Sequence, residues 1–111
     1  MTSIFISQPM HGLEESAILA ERQTIINTIE QSFENPYILD SFLTGAKDVN
    51  PLVCLGHAIT MLSKADIAVF AHGWSKSRGC RVEHQICVEY GIPCYTYINY
   101  SSGPVLVPER N

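Results

Sequence analysis

Charge is scarce in this 111-residue chain, with Asp, Glu, Lys and Arg together only 16% of it. Positive charge is scarcer still: the net charge is -4 and the pI about 5.4. A basic patch or stripe, the electrostatic footprint of a DNA or RNA binder, is therefore missing, and no nucleic-acid partner is expected. The tightest positive cluster, Lys76, Arg78 and Arg81, suits one small anion. Long apolar runs are missing too. The longest, Ile67 to Ala71, is far too short to span a bilayer and fits a buried strand, so no membrane association is expected. The N-terminal segment lacks the basic region and small-residue cleavage site of a secretory signal, which predicts a cytoplasmic protein. No two cysteines stand at C-x-x-C spacing. Cys54, Cys80, Cys87 and Cys94 are 26, 7 and 7 positions apart. That spacing argues against a disulfide framework and against a thiolate zinc site. Cys80 and Cys87, two helical turns apart, are read as small buried hydrophobes.

Hydrophobic residues make up 46% of the chain, enough for one core, and a single domain over residues 1–111 is predicted. Ser3-Ile4-Phe5-Ile6 is a first strand, ended by the breaker-rich Ser7-Gln8-Pro9-Met10-His11-Gly12. Ile18, Ile25, Ile29 and Phe33 recur at helical spacing, predicting a helix from about Leu13 to Phe33 that Asn35-Pro36 stops. Tyr37-Ile38-Leu39 is a short second strand, and Asp40 to Asn50 a loop containing Gly45 and Asp48. Asn50 caps the next helix and Pro51 opens it, as far as about Lys64. Asp66 to Ala71 is a third strand, buried on both faces. A helix from Arg78 to Tyr90 follows, stopped by Gly91 and Pro93, and then a fourth strand from Cys94 to Ile98. Val105-Leu106-Val107 forms an edge strand or lies against a partner chain.

Strands alternating with helices predict an α/β domain, Rossmann-like or flavodoxin-like with three layers, and a parallel sheet of four or five strands. Strand 1 should lie between strands 2 and 3. The chain then reverses direction across the sheet, and ligands of such sheets bind in the crevice at that point. Two loops meet there, Ser7 to Gly12 and His72 to Gly79.

Glu83 is the most informative residue. Gly79, Val82, Glu83, Ile86, Cys87 and Tyr90 share one face of the third helix. An acid turned inward there belongs to a site or to a salt bridge, for example with Arg22. In a site it can attack a sugar carbon or stabilise an oxocarbenium ion. Gly79, one turn earlier, lets a ligand approach the helix N-terminus. Ser77 caps that helix or offers its hydroxyl to an anion. The first loop also precedes a helix N-terminus, so Ser7, Gln8, Met10 and Gly12 are expected at the site, with Asp40 or Ser41 at its edge. Trp74, the only tryptophan, either walls the pocket by stacking on a base or packs as a lid on the core. Arg22 interrupts the stripe Ile18, Ile25 and Ile29. Turned inward, it requires a carboxylate partner or contacts the ligand.

With these residues in place, the chain resembles the nucleoside 2-deoxyribosyltransferase superfamily, in particular its small bacterial and phage branch. The matching segments are Ile6 to Gly12 (ISQPMHG), Lys64 to Trp74 (KADIAVFAHGW), Ser77 to His84 (SRGCRVEH) and Glu89 to Pro93 (EYGIP). Together they run in order along most of the chain. The resemblance implies a nucleoside or nucleotide ligand, a homodimer or larger assembly, and no cofactor or metal. In active relatives a glutamate at the position of Glu83 attacks the anomeric carbon. The base leaves, and water or another base takes the sugar.

Two positions depart from the pattern of active relatives. Phe5 stands where they carry a tyrosine. Ala58 stands where they carry an aspartate that assists protonation of the leaving base. His57 is one residue off, about 100° around a helix. Two functions follow as expectations: cleavage or transfer of an N-glycosidic bond with Glu83 as nucleophile, or binding of a nucleotide-derived ligand without turnover.

Overall fold

The computed structural model describes residues 1–41 and 50–109. Five strands and three helices alternate along them: β1 (Thr2–Ser7), α1 (Glu15–Ser32), β2 (Pro36–Ile38), α2 (Pro51–Leu62), β3 (Ile67–Phe70), α3 (Arg78–Tyr90), β4 (Cys94–Tyr100) and β5 (Gly103–Pro108). A short 3-10 turn, Trp74–Lys76, links β3 to α3. The sheet order is β2-β1-β3-β4-β5, so β1 lies between β2 and β3 as expected. The first four strands are parallel. This is an α/β fold with a mostly parallel five-stranded sheet. Among the described residues, no helix is long and apolar enough to cross a membrane.

The tail adds an edge strand, one of its two expected places, and the parallel part of the sheet stops at four strands. β5 runs antiparallel to β4, pairing Tyr100 with Gly103 through Tyr95 with Pro108. Only Ser101 and Ser102 separate the two strands. A loop that short can make a hairpin, whereas a parallel return needs a crossover of a dozen or more residues. Gly103, at φ +126°, supplies the backbone conformation that closes it.

Helix ends differ from the predicted ones by a turn or less. α1 begins at Glu15 rather than Leu13, because Met10 to Leu13 closes a turn (Leu13 N–H to Met10 O, 3.2 Å) with Gly12 at φ +79°. α2 stops at Leu62, where Ser63 and Lys64 form a turn that feeds β3. Its start is as predicted: the Asn50 side chain accepts from Leu52 N–H at 2.8 Å and Pro51 is the first helical residue. The predicted loop after Asp40, with Gly45 and Asp48, lies mostly outside the described residues.

Side chains alternate along a strand, and β1 and β3 divide their apolar residues accordingly. Ile4, Ile6, Ile67, Val69 and Ala71 pack with Ile25 and Ile29 of α1 and with Tyr97. Phe5, Ala68 and Phe70 pack with Leu39, with Ala58 and Leu62 of α2, and with Cys87 of α3. Each fully buried large side chain contributes about 1.5–3 kcal/mol. Central strands covered in this way hold their C-terminal ends in fixed relation, and the candidate site stands there.

Candidate functional site

β1 and β3 are paired through Ser7 and Phe70, and the Ala71 N–H carries the pairing on to Ser7 O at 2.9 Å. Both strands therefore leave the sheet side by side. From β3 the chain turns at Gly73, at φ +79°, and makes the 3-10 turn before α3. Ser77 caps α3, accepting from the Cys80 N–H at 3.5 Å. About one and a half turns of helix then carry Glu83 back against the end of β1.

There the Ser7 hydroxyl donates to Glu83 Oε1 at 2.6 Å. Both residues are buried, Ser7 at 1% and Glu83 at 8% exposure. Burial pushes the Glu83 carboxyl up from the ordinary 4.5 to about 7, while the Ser7 hydrogen bond pulls it down. The Cys80 thiol beside them is also raised. Burial is the main cause, the Ser7 and Ser77 hydroxyls oppose it, and the charges of Glu83 and Glu21 add to it.

The inward face of α3 differs from the predicted one. Cys80, Glu83 and Cys87 are the buried residues, whereas Val82 and Tyr90 are exposed at 37% and 79%. Both sets contain Glu83, at i+3 and i+4 spacing. Of the two thiols, Cys87 packs in the core cluster with Phe5 and Phe70. Gly79 is half-buried, and a methyl group built on it would meet nothing within 4 Å. The space beside the first turn of α3 is thus open.

The remaining predicted residues take different places. Gln8 is buried and turns to α1, donating to Ile18 O at 2.7 Å and to Glu21 Oε1 at 3.0 Å, while its own Oε1 is sealed without a partner. Met10, half-buried, and Gly12, exposed, occupy the turn into α1. Among the described residues no hydrogen bond joins either to Glu83. Ser41 reaches the first strand, its hydroxyl 3.4 Å from Ile6 O, and Asp40 is exposed beside it. His57 Nε2 lies 3.4 Å from Asp40 O. Trp74 is half-buried, 5.3 Å from the Phe70 ring and stacked on His84 with centroids 4.2 Å apart and planes 22° apart.

Arg22 does not pair with Glu83. It donates to Leu39 O at 3.0 Å, and its Nη1 is buried without a partner. Burial lowers its pKa, and the charge of Asp40 works against that. The expected carboxylate is replaced by a main-chain carbonyl at the end of β2, and this frees Glu83 from the structural pairing that would have explained it away.

No family model matches the chain, and no curated protein matches it in sequence.

Two concavities lie away from Glu83. One, of about 540 Å³, is an apolar hollow between α2 and α3 lined by Ile59, Leu62, Ile86 and Tyr90 among others. The other, of about 420 Å³, sits beside α1 and β4, with Glu21, Thr24 and His72 in its wall. A further grouping escaped the sequence altogether: His84, Cys94 and Glu109 converge from α3, β4 and the residue after β5. Spacings of 10 and 15 positions carry no periodic signal, so only the fold brings them together.

Chemically, the site offers a buried carboxyl that changes protonation near neutral pH, held by a hydroxyl at the mouth of two strand-to-helix loops. As carboxylate it is a nucleophile or a hydroxyl acceptor; as acid it is a proton donor.

Proposed function

We propose that the chain is a cytoplasmic, nucleoside 2-deoxyribosyltransferase-like protein on a Rossmann-like or flavodoxin-like three-layer frame. It binds a nucleoside or nucleotide and breaks its N-glycosidic bond, with Glu83 as nucleophile. The observation that carries this reading is the Ser7–Glu83 hydrogen bond, which aims a buried carboxylate at the exit of β1 and β3. One Glu83 oxygen forms a bond to the anomeric carbon as the carbon–nitrogen bond breaks. The bonding pair leaves with the base, which takes up a proton. Water or a second base then displaces Glu83 from the sugar. Ser77, Gly79 and the N–H groups opening α3 favour an anionic group on the ligand, and Trp74 offers an aromatic wall. Assembly as a homodimer or larger belongs to the same reading.

One observation favours binding without turnover. Phe5 and Ala58 are 1% and 8% exposed inside the apolar core, so neither position supplies a proton to a leaving base. His57 is turned to the Asp40 carbonyl instead.

The test is base release and calorimetric binding across a panel of nucleosides and nucleotides, for the wild type and Glu83→Gln. The enzyme reading expects release by the wild type, its loss in the variant, and largely retained binding. Binding by both forms with release by neither leaves the binder. If the panel neither binds nor reacts, the nucleotide reading fails.

A further inference from the structure

We propose that His84, Cys94 and Glu109 form a half-buried site for a thiophilic divalent cation of the zinc type. The three are all partly buried, and one ligand atom from each lies within 4.8 Å of the other two. His84 Nε2 is 2.9 and 3.0 Å from the two oxygens of Glu109. A simple ion pair would need no third donor, yet the Cys94 thiol stands beside this one. The thiol donates to Ile92 O at 3.4 Å and is in hydrogen-bond contact with the Cys87 thiol.

Two of the three ligands are already oriented. The His84 ring is stacked on Trp74 and meets the Phe70 ring edge-on at 5.0 Å. Glu109 is tied to the thiol-bearing residue itself, its N–H donating to Cys94 O at 2.9 Å. Such preorganisation is what a metal site needs from its surroundings. Zinc binds sulfur at about 2.3 Å and nitrogen or oxygen at about 2.0–2.2 Å. The three atoms need only draw in slightly around an ion, with water in the fourth position.

The charges also fit. On binding, the Cys94 thiol loses its proton to solvent, and His84 turns a neutral Nε2 lone pair to the ion with its proton on Nδ1. Thiolate and carboxylate together then balance the two positive charges. The sulfur ligand selects zinc-like ions over magnesium or calcium. The ion would fasten the end of the tail to α3 and β4.

The experiment is titration of the reduced full chain with Co(II), followed by displacement with Zn(II). The expected result is one equivalent bound, with a thiolate-to-cobalt charge-transfer band and the visible bands of tetrahedral cobalt. Zn(II) should also raise the melting temperature. The charge-transfer band should vanish in Cys94→Ser and persist in Cys54→Ser. Glu109→Gln, placed after the last strand where folding is not at stake, should weaken binding by about tenfold or more. No charge-transfer band in the wild type, a band that survives in Cys94→Ser, or unchanged affinity in Glu109→Gln would each overturn the proposal.

Discussion

Ser7 and Glu83 are 76 positions apart in sequence and 2.6 Å apart in space. The hydroxyl is the donor and the carboxylate the acceptor, so the pair favours the charged form of a group that burial favours as the neutral acid. The raised value of about 7 shows that burial prevails.

Stability should therefore fall with rising pH over a definite window. The folded-state value lies above the ordinary 4.5, so the native state holds the proton more tightly than the unfolded chain. The stabilisation is complete below about 4.5 and is lost as pH rises through about 7. The loss is on the order of 3 kcal/mol. Urea unfolding across this range should show the slope in the wild type and not in Glu83→Gln. If Glu83 is the nucleophile, base release should rise through the same window as the carboxylate forms.

Ser7→Ala removes the one hydrogen bond that opposes burial. The Glu83 carboxyl should titrate above about 7, and the stability slope should move to higher pH with it. Above that range the variant should lose about 1.5–3 kcal/mol, the worth of a hydrogen bond to a charged group. A carbon-13 titration of the Glu83 carboxyl reads the first effect directly, and a value unchanged from the wild type would refute it.

What the sequence disclosed and what it hid divide along a physical line. The apolar stretches of β1 and β3, the Asn50 and Ser77 caps and the Gly91 stop, at φ +71°, were all legible, because each depends on neighbours within a few positions. So was Glu83, an acid on an otherwise apolar helix face. The partner of Arg22 was not, since a carbonyl acceptor such as Leu39 O carries no residue identity. Cys80 and Cys87 were legible as small buried hydrophobes, but the outward turn of Val82 and Tyr90 on α3 was not. Two helix faces one step apart are nearly equal in pattern, and tertiary packing decides between them.

Arg22→Met should leave stability within about 1 kcal/mol of the wild type or raise it. The guanidinium is buried with Nη1 unpartnered, and methionine keeps the apolar stem while removing that cost. Leu39 O keeps an acceptor role without it, because the Ser41 N–H also donates there at 3.1 Å. A loss of about 3–5 kcal/mol would instead mark the rupture of a buried ion pair. Equilibrium denaturation of the two proteins decides.

The position of β1 has a consequence for how the molecule is made. This strand, with Ile4, Phe5 and Ile6 all buried, is synthesised well before its partner β3, which begins only at Ile67. At ribosomal rates of about 5–20 residues per second, the interval is on the order of several seconds. Throughout it this strand, with its apolar centre, emerges with the β3 side of its backbone unpaired, a template for association with other chains. Glu83 emerges later still. No nascent fragment lacking α3 can contain the Ser7–Glu83 pair, so binding competence should appear late and all at once, and early chain release should yield sticky, inert fragments.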